Sequence, residues 1–511
     1  MILFIEPISK NLDVYVPAYP LPLMEIGSYI KENEDIEIQI ISIPVDYGLP
    51  LNNEGKEKLY GELIKDITEM SPMGVGISCT AIAQAEETIE LCERIKVANP
   101  EVFIFLGGYF PTLYYEEILN RTAAIDLIVI GEGENAALMI IRALKKGRNP
   151  RKANIPNCVW KENGKINIKR ENNAFNFNHK AFMRLELLKT PKSYSVLPYS
   201  FSRGCPYHCS FCMEEYIRPV RREVPLEILK KDLMNLTGNT DSRHIMISDA
   251  LFKSFKIFPF LRVLGLKANF ETRCDLMDAS LLSKIAGTCG ILALGCESAS
   301  YSSLKRMNKI KDKEHYQFYL NNTKNIFIEA VRNNISIIVF FIAGYPGDKE
   351  EDLEQTLEFV RELTKYQGEG GYVFKIGECR AYPKTKIYDY AKSDPEVFFD
   401  DDGVFGQNVV RRPSVNLDFE RVLVYMREIF NLSSFTDAIQ NNILEIMPFF
   451  RVPTKVLVSS DIPDDCFKGS DRNVLDVSKK SLAVFKGRYP QLLRKYKDEM
   501  SDQRSSRTLT Y

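Results

Sequence analysis

Residues 202–212 read SRGCPYHCSFC, and this stretch places Cys205, Cys209 and Cys212 in a C-x3-C-x2-C pattern. The chain has eleven cysteines in 511 residues, a number too small and too odd for a disulfide scaffold. Three cysteines so close together therefore indicate a site. A four-iron cluster with three thiolate ligands would keep one iron open for a substrate or cofactor. Zinc, which usually takes a fourth protein ligand, is the alternative.

The remaining cysteines are scattered along the chain and form no recognisable second motif. We interpret them as ordinary buried residues: Cys79, Cys92, Cys158, Cys274, Cys289, Cys296, Cys379 and Cys466.

The composition excludes several classes of protein. Lysine and arginine number 67 against 68 acidic residues, so the net charge of −1 argues against a broadly basic nucleic-acid surface. The first residues, MILFIEPISK, have no basic region ahead of an apolar run, which disfavours a secretory signal. No stretch approaches the roughly 18 apolar residues that a membrane span requires. We therefore expect a soluble, cytoplasmic protein.

Residues 195–390, which contain the cysteine stretch, alternate short apolar strands with helical segments. The strand-like segments lie near Val196 and at His244–Ser248, Ala268–Glu271, Ile291–Gly295, Ile335–Ala343 and Gly371–Glu378. Six strands joined by helices predict a parallel sheet curled into an open barrel.

Residues 1–145 show a second strand–helix alternation, which predicts a parallel sheet with helices on both faces. In such sheets, ligands lie beyond the carboxyl ends of the strands. Glycines follow two predicted strands, at Gly107-Gly108 and at Gly131, and would serve either as turns or as points where the backbone approaches a ligand.

Two further regions complete the predicted α/β organisation. Residues 146–194 are interpreted as a linker with a hairpin, because Asn157–Trp160 and Ile166–Ile168 flank an Asn-Gly turn. Residues 391–511 are expected to form a mainly helical C-terminal domain with a mobile tail, SDQRSSRTLTY.

The cysteine stretch resembles the loop of the radical SAM superfamily, and further matches follow it in order. An acidic strand end at Ile247-Ser248-Asp249 resembles the family's motif for the methionyl amino group. LGCESA at 294–299, LKRMNK at 304–309 and FIAGYPGD at 341–348 resemble later family segments. AYPKT departs from the family's usual turn, since Lys384 stands where glycine is common.

This resemblance implies a partial (β/α)6 barrel that holds a [4Fe-4S] cluster and binds S-adenosylmethionine (SAM). It assigns the cluster to Cys205, Cys209 and Cys212. It assigns SAM contacts to a wider set: Phe211, Asp249, Arg273, Glu297, Ser298 and Gly344. It also implies a one-electron reductant such as flavodoxin or ferredoxin as a partner.

Residues 1–145 resemble the Rossmann-like, cobalamin-binding domain found in one large branch of the same superfamily. The matching segments are GISCT at 76–80, GGYFPT at 107–112 and DLIVIGEGE at 126–134. The resemblance places the following residues around cobalamin: Cys79, Thr80, Gly107, Gly108, Gly131 and Glu132. The D-x-H-x-x-G motif is absent, with no histidine before His179, which argues against a histidine ligand to cobalt. A purely structural or substrate-binding domain is the alternative.

The resemblance leads to one main hypothesis for function. It implies a radical SAM enzyme that generates a 5′-deoxyadenosyl radical and methylates an unactivated carbon of a small-molecule or peptide substrate with the help of cobalamin. The alternative enzyme is a non-methylating one that catalyses rearrangement, cyclisation, ring contraction or dehydration. A sensor or electron-transfer module is disfavoured, since it needs no SAM pocket. An RNA-modifying enzyme is disfavoured too, because there is no terminal basic domain. No catalytic residue is assigned.

Overall fold

The computed structural model describes residues 1–9, 18–48, 50, 53–171, 174–194, 196–240, 242–399 and 408–446. Two large sheets dominate this part of the chain. Cys466, the SDQRSSRTLTY tail and most of the C-terminal domain predicted at 391–511 lie outside the described residues.

The first sheet has seven strands in the order β2-β1-β3-β4-β5-β6-β7. Pairing is parallel from β2 to β5, as alternation of strands and helices predicts, and antiparallel at β5–β6 and β6–β7. The hairpin predicted within the linker thus extends this sheet. The strands are β1 (Ile2–Glu6), β2 (Ile38–Ser42), β3 (Gly74–Ser78), β4 (Phe103–Gly107), β5 (Leu127–Val129), β6 (Cys158–Glu162) and β7 (Lys165–Lys169).

Helices cover both faces of this sheet and create a hydrophobic core on each side. One core contains Ile30 and Ile140, which belong to the packed helices α1 and α6. The other contains Leu63 and Ile95, from α3 and α4. The helices are α1 (Leu21–Asn33), α2 (Ile43–Asp46), α3 (Asn53–Met70), α4 (Ala85–Ala98), α5 (Tyr109–Arg121) and α6 (Glu134–Lys145).

The second sheet has six parallel strands in the order β15-β14-β13-β12-β11-β8. Its two end strands do not pair with each other, so the barrel is open, as predicted. We call the first sheet with its helices the first half of the protein, and the described residues from 196 onward the second half. The strands of the second half are β8 (Leu197–Tyr199), β9 (Ser202–Arg203), β10 (Arg222–Glu223), β11 (His244–Ile247), β12 (Lys267–Arg273), β13 (Cys289–Glu297), β14 (Ser336–Ala343), β15 (Tyr372–Glu378), β16 (Phe398–Phe399) and β17 (Val410–Arg412).

The helices of the second half lie on the outer face of the barrel or at its ends. They are α7 (Glu214–Ile217), α8 (Leu226–Gly238), α9 (Phe258–Val263), α10 (Leu282–Ile285), α11 (Tyr301–Arg306), α12 (Lys313–Arg332), α13 (Glu350–Leu363), α14 (Lys386–Ser393), α15 (Phe419–Asn431) and α16 (Asp437–Ile446). The α/β fold class is confirmed. Among the described helices, none is long and apolar enough to cross a membrane.

Helix α16 packs at the amino ends of the barrel strands. The Asn442 amide donates a hydrogen bond to the Gly290 carbonyl at 3.1 Å and another to the Ser336 hydroxyl at 2.9 Å. These contacts lie at the end of the barrel opposite the carboxyl ends of its strands. Ligand access is therefore expected at the carboxyl ends, where enzymes with parallel barrels carry their sites.

The turn after β4 brings two backbone segments together more closely than a side chain would permit. Gly108 has φ +112°, and a Cβ built on it would lie 2.3 Å from the carbonyl oxygen of Cys79. Gly107, its neighbour, has no heavy atom within 4 Å of the corresponding position. Glycine is thus required at 108 by the backbone, whereas Gly107 faces open space.

We expect Gly108→Ala to lower the free energy of unfolding by about 1–3 kcal/mol, because it combines a backbone conformation reserved for glycine with a steric clash. Urea unfolding followed by circular dichroism measures the change. Gly107→Ala is the matched control and should cost less than about 0.5 kcal/mol. Equal losses in the two variants would contradict this explanation.

Candidate functional site

The three cysteines of the 202–212 stretch lie on a loop between β9 and α7, which we call the cysteine loop. The loop starts with Gly204 at φ +82°, where a Cβ would lie 2.2 Å from the Val220 carbonyl oxygen. The Cys205 amide then donates to the Arg218 carbonyl at 3.2 Å. Close backbone packing between the loop and residues 218–220 therefore determines its path.

The centre of the cysteine loop is tied to the barrel through Ser210. Its hydroxyl donates to the Arg306 carbonyl at 2.9 Å and lies 2.7 Å from the Tyr345 hydroxyl. The Ile387 amide donates to the Ser210 carbonyl at 3.0 Å. Phe211 is half-buried and packs against a small core that includes Tyr345. The loop is therefore anchored to three separate barrel elements.

The cysteine thiols lie in a partly dry, cationic environment. Cys209 is buried and accepts a hydrogen bond from Arg273 Nη1 at 3.2 Å. Burial raises the pKa of all three loop thiols, that of Cys212 to about 12. The charges of Lys309 and Arg273 oppose this effect on the pKa of Cys209 and favour its thiolate. Since iron binds the thiolate form, these cations would favour Cys209 as a cluster ligand.

The donor set of the loop fits an iron–sulfur cluster. In the described residues, no three histidine, cysteine or acidic side chains surround a single-ion position. A cluster makes a different demand, because each thiolate binds its own iron. The three thiols of one anchored loop provide such a set, with Arg273 beside Cys209 as a second interaction that can tune it.

Two predicted SAM residues, Arg273 and Glu297, lie beside the cysteine loop. Arg273 makes a two-pronged ion pair with Asp275 at 2.8 Å for each contact, and also contacts Cys209. Glu297 ends β13 with φ +60° and pairs with Lys309 Nζ at 2.7 Å. Arg273 donates to the Lys309 carbonyl at 3.1 Å, which joins the two pairs. Lys309 and Asp275 were missed as site residues, although Lys309 ends the LKRMNK segment.

Other predicted SAM residues already have structural partners. Asp249 accepts hydrogen bonds from the Phe201 amide at 2.7 Å and from the Ser202 amide and hydroxyl at 3.0 and 2.6 Å. Burial outweighs these bonds and raises the pKa of Asp249 to about 6. The carboxyl group thus holds the chain just ahead of the cysteine loop.

Ser298 and Gly344 lie at the ends of neighbouring barrel strands. The Ser298 hydroxyl lies 3.2 Å from the Thr356 hydroxyl of α13 and accepts a hydrogen bond from the Ser300 amide. Gly344 has φ +73° and precedes Tyr345, which contacts the loop. A SAM contact by either residue stays a prediction.

A cavity of about 400 Å³ lies between the carboxyl ends of the first sheet and the barrel. Its walls include Ser200 and Ser248, which follow barrel strands β8 and β11. Five of the six predicted cobalamin positions line it: Thr80, Gly107, Gly108, Gly131 and Glu132. Cys79 does not, and burial raises the pKa of its thiol to about 12. The predicted cobalamin loops thus surround one space, which fits a ligand held between the two halves.

The side chain of Glu132 belongs to a buried ionic network that joins the two halves. It accepts hydrogen bonds from both terminal nitrogens of Arg222 at 2.9 Å and from the Phe175 amide at 2.7 Å. Arg203 reaches the same carboxylate at 3.3 Å and pairs with Glu25 and Glu134 at 2.6 Å each. The sequence predicted none of these pairings, because their partners are distant along the chain.

Family models match both halves of the chain. The model of the B12 binding domain matches residues 12–141, and the model of the radical SAM superfamily matches residues 199–360. The chain belongs to the radical SAM superfamily and carries a B12 binding domain. Both resemblances inferred from the motifs are thereby confirmed. At the level of these domains, so are the expected cofactors: a [4Fe-4S] cluster, SAM and cobalamin.

Relatives of this radical SAM protein are identical to it at about a quarter of the aligned residues. An uncharacterized methyltransferase of Pyrococcus horikoshii is 25% identical over 386 residues, which are 73% of this chain and 78% of the relative. The anaerobic magnesium-protoporphyrin IX monomethyl ester cyclase of Rubrivivax gelatinosus is 26% identical over 320 residues, 58% of this chain. The match spans only 55% of the cyclase.

A solved structure shares the whole architecture. The radical SAM methyltransferase TsrM from Kitasatospora setae, with tryptophan and a SAM analogue bound, superposes with a TM-score of 0.65 at 15% identity. The superposition covers 98% of this chain and 99% of that one. At this identity the likeness demonstrates a common fold for the two chains.

We expect Cys205→Ala, Cys209→Ala and Cys212→Ala each to lose most of the iron and sulfide bound after anaerobic reconstitution, because each removes a thiolate ligand. Iron analysis and the visible absorption of the cluster measure the loss. Cys289→Ala, which removes a buried cysteine of β13, is the control and should keep its cluster. A full four-iron spectrum in all three loop variants would refute the ligand assignment.

Proposed function

We propose that this radical SAM protein methylates an unactivated carbon of a small-molecule or peptide substrate, with cobalamin as the methyl carrier. The observation that carries the proposal is the shared cavity, where five predicted cobalamin positions lie at the mouth of the barrel. When bound, the cluster and SAM supply a 5′-deoxyadenosyl radical, and cobalamin supplies a transferable methyl group.

The chain's own residues would position and shield these reactants. Arg273 keeps one guanidinium nitrogen on Cys209 while Asp275 holds its other side, so its orientation is set in advance. Lys309 is buried and neutralises Glu297 next to the same loop. Together they place fixed charges beside Cys209.

The names of the relatives support methylation and also favour one alternative. The Pyrococcus relative is named as an uncharacterized methyltransferase and TsrM as a methyltransferase, and both names point to methyl transfer. The Rubrivivax relative is named as a cyclase, which favours the second candidate, a radical reaction without methylation. The two differ in whether a methyl group reaches the product.

We propose a small-molecule or peptide substrate and no nucleic-acid partner, in a cytoplasmic setting. The near-neutral charge of the chain supports this, since nucleic-acid binding depends on a concentrated positive surface. A one-electron donor such as flavodoxin or ferredoxin is the other partner that the chemistry requires.

We expect the anaerobically reconstituted protein to form 5′-deoxyadenosine from SAM and a reductant, and to transfer labelled methyl from SAM to its substrate when cobalamin is present. Mass spectrometry of the nucleoside and of the product measures both. Cys205→Ala should form no 5′-deoxyadenosine. Absence of this nucleoside in the wild type with substrate supplied would refute the radical reaction, and an unlabelled product would favour the non-methylating alternative.

Cobalamin binding has a direct test at Gly107, which lines the cavity with no atom near its missing Cβ. We expect Gly107→Leu to weaken hydroxocobalamin binding at least tenfold, because the side chain would occupy the cavity. Spectroscopic titration of the purified protein measures the affinity. Gly61→Leu, on α3 and also facing open space, is the control and should bind as the wild type does. Unchanged binding by Gly107→Leu would place cobalamin elsewhere.

A further inference from the structure

Near the cysteine loop, the inner face of the barrel carries two charged residues that the proposed site does not use, Glu271 on β12 and Lys375 on β15. Side chains two residues apart on a strand share a face, so Glu271 lies on the face of Arg273. Arg273 lies opposite Gly295 of β13, Gly295 lies opposite Phe340 of β14, and Phe340 lies opposite Lys375 of β15. The face that carries Arg273 therefore continues across the sheet to Lys375. Because Arg273 contacts Cys209, this face is the one that leads to the cysteine loop.

The opposite face of the same strands is filled by the core. Phe270, Leu292 and Phe374 are buried there, and Phe374 stacks on Phe327 of α12. On the inner face, by contrast, Glu271 is exposed and Lys375 is only half-buried. The two charged side chains therefore project into the open lumen of the barrel, where a ligand can reach them.

The other charges near this lumen have partners. Glu297 pairs with Lys309, and Arg273 pairs with Asp275. Glu378 pairs with Arg380. Within the described residues, neither Glu271 nor Lys375 makes an ion pair or a side-chain hydrogen bond with another residue. One negative and one positive charge thus remain for a ligand.

Both charges are surrounded by protein atoms, although the open lumen leaves them accessible. Burial raises the pKa of Glu271, although the charge of Lys375 opposes the shift. Burial also lowers the pKa of Lys375, while Glu271 and Glu378 oppose that shift. Each charge thus opposes the effect of burial on the pKa of the other, although the two groups form no ion pair. Such charges gain most from a ligand that brings an opposite charge to each.

The surroundings of Lys375 add a further constraint. Its ammonium lies 5.0 Å from the centre of the Phe340 ring, and Ile338 and Ile342 occupy the same half-exposed face of β14. A ligand held by both charges would therefore place its remaining part on apolar and aromatic surface.

We propose that the barrel lumen binds a dipolar substrate of the α-amino-acid class, with its carboxylate on Lys375 and its ammonium on Glu271. This inference rests on the proposed function for the identity of the site as a substrate site. It goes further in naming the substrate class and the two residues that select it.

The test measures binding to the anaerobically reconstituted full chain in the presence of SAM, by calorimetry and without reductant. The twenty proteinogenic L-amino acids are tested singly. The tightest binder is then compared with its decarboxylated amine and with its deaminated carboxylic acid. We expect the amino acid to bind at least tenfold more tightly than either analogue, because each analogue leaves one charge without a partner.

Two variants separate the two contacts. Lys375→Met should abolish the advantage of the amino acid over the amine, and Glu271→Gln its advantage over the acid. Lys375→Arg should restore binding of the carboxylate, which also shows that the position tolerates substitution. Lys256→Met and Glu358→Gln, both on the exposed outer surface, are the controls and should leave the affinities unchanged.

Equal affinities for the amino acid and its analogues, or affinities that neither variant alters, would overturn the assignment. So would loss of SAM binding in either variant, because the pair would then belong to the SAM site. Since binding is measured without turnover, a wild type that forms no 5′-deoxyadenosine would refute the proposed function and leave this binding pattern standing.

Discussion

The guanidinium group of Arg203 lies buried where the first sheet meets the barrel, and the geometry of the site depends on it. It pairs with Glu25 of α1 and with Glu134 at the start of α6, each at 2.6 Å. Arg203 is also two residues from Cys205, so one side chain connects the N-terminal half to the cysteine loop. Breaking a buried ion pair of this kind costs about 3–5 kcal/mol, because a charge is left without a partner. These ion pairs therefore stabilise the contact between the two halves.

Three carboxylates share this region with two guanidinium groups. Burial disfavours the charged form of Glu134 and raises its pKa, although Arg203 opposes the shift. For Glu132, burial acts in the same direction, but the hydrogen bond from Arg222 and the charge of Arg203 outweigh it and lower the pKa. The same carboxylates line the cavity. The network that joins the halves thus also forms part of the cavity wall, so the shape of the cavity follows from the pairing.

The sequence predicted the elements of this site better than their contacts. The barrel strands were identifiable because apolar runs and helical spacing are local properties, and Cys205, Cys209 and Cys212 because their spacing is rare. The linker hairpin was predicted from its Asn-Gly turn, but its pairing with β5 was not, since Ile128 and Val159 meet across 31 positions of sequence. Features that depend on neighbouring residues were therefore predictable, whereas contacts between residues far apart in the sequence were not.

The same limit applies to individual side chains. Asp249 and Glu132 were chosen from motifs at strand ends, and both do lie at those ends. The hydrogen-bond partner of each carboxylate comes from another part of the chain. Ser202 donates to Asp249, and Arg222 donates to Glu132. Lys309 was not predicted as a site residue, because a lysine in a polar segment gives no indication that it will be buried against Glu297. A motif locates a residue in the fold, whereas its chemical role depends on partners that only the folded chain supplies.

The cavity between the halves and the lumen of the barrel have different linings, and the difference bears on the reaction. The cavity between the halves is bordered by glycine-rich turns and by carboxylates already paired with arginines. The barrel lumen instead retains one charge of each sign without a partner among the described residues, beside the ring of Phe340. An unactivated carbon carries no polar group that the protein could bind. The orientation of the substrate must therefore come from contacts with groups elsewhere on the molecule. Helix α16 packs at the amino ends of the barrel strands. If the substrate binds in the lumen as proposed, the two lumen charges would supply its orientation, and the cavity between the halves would remain for cobalamin.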